Sequence, residues 1–142
     1  MIIHPWSPRA HLLRCSDPYD LCTIETTRVI PVDLNCFVYH MECTISDLSE
    51  MVGDSTQADE FKERAMKTRH AIEVLMWNDE ESTWHDLHLV PSPDPSVYTS
   101  RQRQGCYVSN FTPLWVRAYE DSDRAVRSAR ALCESGLFCP GM

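Results

Sequence analysis

Between Leu34 and Val52 the apolar residues Leu34, Phe37, Val38, Met41, Ile45, Leu48, Met51 and Val52 recur at steps of three and four. An α-helix collects that spacing onto one face, so this stretch commits the chain to helix-on-helix packing. Both helix ends are marked. Pro31 suits the approach to a first turn, Asp33 sets a negative charge at the positive end of the helix dipole, and Gly53 stands where a left-handed cap is usual. A second helix reads from Ser55 or Thr56 to Trp77, with Ala58, Phe61, Ala65, Ile72, Leu75 and Met76 on one face. The short Gly53-Asp54-Ser55 connection folds the two into an antiparallel hairpin.

Beyond Trp77 the pattern changes. Asn78 to Thr83 is polar and reads as a turn, and Trp84 to Leu89 is a short extended segment. The proline- and serine-rich stretch over 90–107 has no hydrophobic period and reads as a surface loop. Helical spacing returns at Phe111, Leu114, Trp115 and Ala118, and a last helix from Ser122 or Asp123 carries Ala125, Val126, Ala129, Leu132 and Cys133 on one face before Gly136. The fold class read from this pattern is all-α, built from two helical hairpins. Each hairpin leaves an apolar face its own partner does not cover, which is why such pairs stack into solenoids or close into toroids. Two pairs alone predict self-association through exposed apolar faces.

A chain of 142 residues is one domain at most. Its 21 Asp+Glu against 13 Lys+Arg leave a net charge of -8 and no clustered basic face, which argues against nucleic acid as a partner. The longest apolar runs, Val29 to Val32 and Cys36 to Tyr39, fall far short of the roughly 20 residues of a membrane span. The first residues lack the charged start and long apolar centre of a signal peptide, and no compartment is assigned. Seven cysteines without a C-x-x-C pair read as reduced, partly buried thiols.

Four blocks carry a family resemblance. Thr26-Thr27-Arg28-Val29-Ile30-Pro31-Val32-Asp33-Leu34-Asn35 resembles the T-T…I-P-V-D-L-N of the trehalases, inverting glycoside hydrolases that split α,α-trehalose into two glucoses. Leu75 to Glu80 with Trp84-His85-Asp86 resembles their L-W-N-x-E…W-x-D-Y, with Leu87 in place of the tyrosine. Ser109-Asn110-Phe111-Thr112-Pro113-Leu114-Trp115 resembles their S-N-x-x-P-L-W, and Gly136 to Gly141 a segment after a late helix. The resemblance covers 20–142, closest to plant members, and leaves 1–19 as an unmatched, poorly ordered segment.

That resemblance implies an (α/α)6 toroid of six helical pairs, of which this chain would be an incomplete part. At roughly 40 residues per pair, the whole needs more than about 200 residues. Inverting hydrolysis needs one protonated carboxyl and one carboxylate roughly 6.5–9.5 Å apart. The family's G-W-D-[FY]-S-x-R-W block would fall near Arg9 and is absent, and Q-W-D-x-P-x-G-W-A-P lies past Gly141. No catalytic residue is therefore assigned, and the chain is expected to be inactive alone. The alternative is a non-catalytic helical-hairpin interaction module.

The substrate-binding candidates are Asp33 and Asn35, at the helix end where a toroid gathers sugar contacts, and Trp84 as a stacking ring. The first two equally suit helix capping. Thr26, Thr27 and Arg28 stand beside them, with Arg28 a candidate sugar or carboxylate partner. Trp77 is a weaker stacking candidate, and Trp115 reads as core from its spacing. His85 and His88 around Asp86 raise a metal reading, but no third ligand cluster follows, so no metal and no cofactor is expected. Cys106, near Arg101 and Arg103, would have a lowered thiol pKa if those charges dominate. Asn110-Phe111-Thr112 matches the glycosylation pattern, though a helix follows directly.

Overall fold

The computed structural model describes residues 26–91 and 98–137. A short 3-10 turn, Thr26–Arg28, leads into β1 (Val29–Ile30), and helix α1 (Val32–Val52) starts directly after Pro31. Gly53 closes α1 with φ 85°, its N–H and that of Asp54 returning to the carbonyls of Glu50 and Ser49. Asp54 then caps α2 (Ser55–Ala71), its carboxylate accepting from the Gln57 N–H at 3.0 Å. The hairpin is as the periodicity predicted, yet the face it buries is not.

Leu34, Phe37, Met41, Leu48, Met51 and Val52, the apolar stripe of α1, are exposed, Met51 to 81%. Cys36 packs with Ile72 and Met76, and the side facing α2 carries Cys43, Ser46 and Ser49 opposite Ala58 and Ala65. These side chains are small enough to let the two backbones approach closely. Ser46 Oγ donates to the Ala58 carbonyl at 2.9 Å and Ser49 Oγ to the Gln57 side chain at 2.9 Å, so the polar atoms in the seam are satisfied. A hydrophobicity count selects the wrong face because the seam is chosen by size and hydrogen bonding.

The second helix continues past Ala71 as one π turn, Ile72–Met76. Ile72, Glu73 and Met76 turn inward there, while Val74 and Leu75 face out. Strand β2 (Trp77–Asn78) follows and pairs with β3 (Thr83–Trp84), register Trp77 opposite Trp84. Beyond it β4 (Leu87–Pro91) pairs antiparallel with both β1 and β5 (Tyr98–Gln102), in the order β1-β4-β5. The all-α expectation is thus corrected to a mainly helical fold with two small sheets, and within the expected 90–107 loop Val90, Pro91 and Tyr98–Gln102 are strand. Prolines around 91–95 masked the hairpin, because Pro ends a ladder without preventing one before and after it.

A 3-10 turn, Val108–Phe111, opens the five-residue α3 (Thr112–Val116), and α4 (Ser122–Glu134) begins at Asp121, whose carboxylate accepts from the Asp123 N–H at 2.8 Å. The core gathers Val32, Cys36, Ile72, Met76, Trp77, Trp84, Leu87 and Ala118 where the start of α1, the π turn and the sheets meet. Across Trp77, Arg124 and Arg127 of α4 set their guanidiniums 5.2 and 5.5 Å from the ring. Arg124 also bonds buried Glu73 at 2.6 Å. Among the described residues no helix is long and apolar enough to cross a membrane.

Candidate functional site

Pro31 offers no side chain to cap α1, so the first N–H groups of that helix need acceptors from elsewhere. Asp86 supplies one from 54 residues away, its Oδ1 accepting the buried Val32 N–H at 2.8 Å. Asp33 bonds the Leu34 N–H at 2.7 Å, and Asn35 donates to the Pro31 carbonyl at 2.7 Å. Both side chains are half-buried and engaged at the helix start.

The segment Thr83–His88 is buried throughout, and its polar groups tie the neighbouring segments together. The His85 N–H donates to Met76 at 2.8 Å, the His85 ring Nδ1 lies 2.8 Å from the Arg103 carbonyl, and the Arg103 N–H donates to the Asp86 carbonyl at 2.8 Å. Thr83 donates to the Asn110 carbonyl at 3.2 Å, and Asn110 donates its side-chain N–H to the Gly105 carbonyl at 3.0 Å. Gln102 donates to the Trp77 carbonyl at 2.8 Å and accepts from Asn78 at 2.8 Å. The proline-valine-aspartate, tryptophan-histidine-aspartate and serine-asparagine blocks therefore converge on one buried polar junction at the N-terminus of α1.

Several candidate residues take other roles. Trp84 is 0% exposed and packs edge-on against Trp77 at 4.8 Å between ring centres, leaving no face for a sugar. Trp115, read as core, is 70% exposed and lies beside Phe37 and His40. His85 belongs to the junction through its Nδ1, and its Nε2 stands 3.2 Å from Glu81. Among the described residues no group of three or more His, Cys, Asp or Glu is placed to hold a metal. The Cys106 thiol is raised, by desolvation first and by Glu81 second, so Arg101 and Arg103 do not activate it. Burial pushes the Cys36 thiol up to about 12, with Asp33 adding to the shift. Asn110 is buried with its amide engaged, which closes it to glycosylation in this fold. Cys15, Cys22 and Cys139 lie outside the described residues.

Sequence reasoning missed Asp86 as the cap of α1 and Arg103 as its neighbour, 4.0 Å away. The signal was Pro31 itself, since a helix entered through a residue that cannot cap it requires a distant acceptor.

A family model described as Trehalase matches residues 6–137, a span that takes in much of the 1–19 segment expected to lie outside the resemblance. The chain is 33% identical to a "Probable trehalase" of Oryza sativa subsp. japonica over 135 residues, covering 87% of this chain and 24% of that protein. It is 32% identical to a "Trehalase" of Arabidopsis thaliana over 127 residues, covering 87% and 20%. With a "Periplasmic trehalase" of Salmonella schwarzengrund it shares 33% identity over 125 residues, covering 88% and 20%. The chain thus spans about a fifth to a quarter of the length of these curated relatives.

Proposed function

This chain belongs to the trehalase family, and on that premise we propose that it is part of a domain that hydrolyses trehalose to two glucoses with inversion. The convergence of three family-like blocks on the N-terminus of α1 carries this reading, because it gathers polar side chains at the helix end where sugar contacts belong in a helical toroid. Asp33 and Asn35 serve there as positioning residues, holding the first turn of α1 in place.

The chain by itself does not complete the reaction. A general acid needs a carboxyl with a raised pKa. Among the described carboxylates displaced from their ordinary range, Glu63 is lowered by Lys67, and Asp79 by the Trp77 indole N–H and then Arg127. Asp86 and Glu73 are taken up by the α1 N-terminus and by Arg124. Neither the G-W-D-[FY]-S nor the Q-W-D-x-P block occurs in these 142 residues. Incubating the purified chain with trehalose should release no glucose above a matched blank; release at a rate proportional to chain concentration and abolished by heating would overturn this part of the proposal. The exposed stripe on α1 favours a second reading, in which the chain acts as a non-catalytic helical-hairpin module that pairs through that face.

A further inference from the structure

Steps of four, three, four, three and four separate Leu34, Val38, Met41, Ile45, Leu48 and Val52 along α1. That is a heptad repeat, with Leu34, Met41 and Leu48 at one of its two apolar positions, d, and the β-branched Val38, Ile45 and Val52 at the other, a. The row runs along the side of α1 turned away from α2, because Cys43, Ser46 and Ser49 of the seam fall at other heptad positions. Five of the six are 38–80% exposed, and Ile45 is half-buried. Phe37 and Met51, both at position g, widen the row, and Trp115 extends it beside Phe37.

We propose that this face is the seam of a homodimer, in which α1 pairs with α1 of a second copy as a short, parallel, two-stranded coiled coil. The inference rests on the second reading above, pairing through the exposed stripe, and names the partner. A second copy fits because the row is self-complementary: side chains at a and d of one helix enter the holes that the same positions form on the other. β-branched residues at every a position, with leucine at two of the three d positions, favour two strands over three or four. Charge decides the orientation. Of the four carboxylates of α1, Asp33, Asp47 and Glu50 lie off the row, while Glu42 flanks it at position e and accepts from Thr68 at 2.7 Å. Antiparallel helices in full overlap would set Glu42 beside Glu42 of the second copy, whereas parallel helices set it beside Phe37. The row holds fewer than three full heptads, so the flanking side chains supply part of the burial. Together with them it offers on the order of 800 Å² of apolar surface, the share that one partner contributes to a standard interface.

Sedimentation equilibrium of the full 142-residue chain over a range of concentrations should show monomer and dimer in exchange. The dimer should weaken about tenfold or more in Leu48→Lys and in Met41→Lys, and stay unchanged in Val126→Lys, whose site on α4 is as exposed as theirs. Circular dichroism should show the parent's helix content in all three, since each side chain already faces solvent. A benzophenone amino acid in place of Val52, photolysed in a mixture of isotope-labelled and unlabelled chains and mapped by mass spectrometry, reads the orientation. Cross-links to the C-terminal end of α1 in the other copy support the proposal. Cross-links to the N-terminal end of α1, or a species larger than a dimer, would overturn the parallel two-stranded arrangement while leaving pairing through the stripe in place. Association that Leu48→Lys and Met41→Lys both leave unchanged would overturn the arrangement and the reading beneath it. A chain that stays monomeric at every concentration would overturn the second copy as occupant and leave the stripe to a different protein.

Discussion

Replacing Asp86 with alanine removes the acceptor of the Val32 N–H while leaving that N–H at a residue with no exposed surface. An orphaned buried donor costs about 1–3 kcal/mol. Loss of a carboxylate at a helix N-terminus adds about 0.3–1 kcal/mol. The Arg103 contact at 4.0 Å is too long to add much. Asp86→Ala should therefore destabilise by roughly 1.5–4 kcal/mol, whereas Asp86→Asn keeps an oxygen for Val32 and should cost about 1 kcal/mol or less. With a urea slope of about 2 kcal/mol/M, the alanine variant's midpoint falls by about 1–2 M. Urea unfolding followed by far-UV circular dichroism measures both variants, and hydrogen exchange at the Val32 amide localises the effect. Equal midpoints for the two variants, or an alanine variant within about 0.5 kcal/mol of the parent, would refute the assignment of Asp86 as the distant cap.

Glu73→Ala strands Arg124 and should lower stability by about 2–3 kcal/mol in the same urea assay; a neutral result would show that solvent replaces the pair. For Cys36 the folded pKa of about 12 lies above its ordinary 9.0, so its contribution to stability is complete below pH 9 and declines as pH rises toward 12. Among the four described cysteines, native alkylation at pH 8 read by mass spectrometry should accordingly label Cys133 before Cys36; early labelling of Cys36 contradicts its burial. Substituting Met41 and Met51 together with serine should reduce self-association in sedimentation velocity while changing the melting temperature little, because both side chains already face solvent. Gly53→Ala forces a side chain into φ 85° and should cost about 1 kcal/mol by thermal unfolding.

The helix positions were legible because periodicity and caps agree along α1, α2 and α4. The buried face of α1 was not, because Ser46 and Ser49 carry little hydrophobic signal and are selected by their fit and hydrogen bonds to Ala58 and Gln57 opposite them. Strands β4 and β5 were hidden by prolines, and their pairing depends on residues about ten positions apart. The place of Asp33 and Asn35 at the first turn of α1 was legible from local sequence. Asp86 was not, since no local rule links a residue to a helix that began 54 positions earlier. Trp84 is buried and Trp115 exposed, the reverse of the burial expected of each, for a related reason: spacing within one segment says which residues share a face, and only the neighbouring segments decide whether that face is covered.

The π turn at Ile72–Met76 makes chain length a structural variable at this point. Such a turn holds one residue more than an α-helix fits into the same rise, and deleting Val74 or Leu75 would restore ordinary winding. The residues after the deletion would then keep their orientation about the helix axis, because the same turn would close with one residue fewer. Trp77 would keep its place beside Arg124 and Arg127, and Glu73 and Met76 would still face inward. A single-residue deletion on the exposed side of this turn is therefore tolerated better than one within the α-helical part of α2, which would rotate all that follows by about 100°.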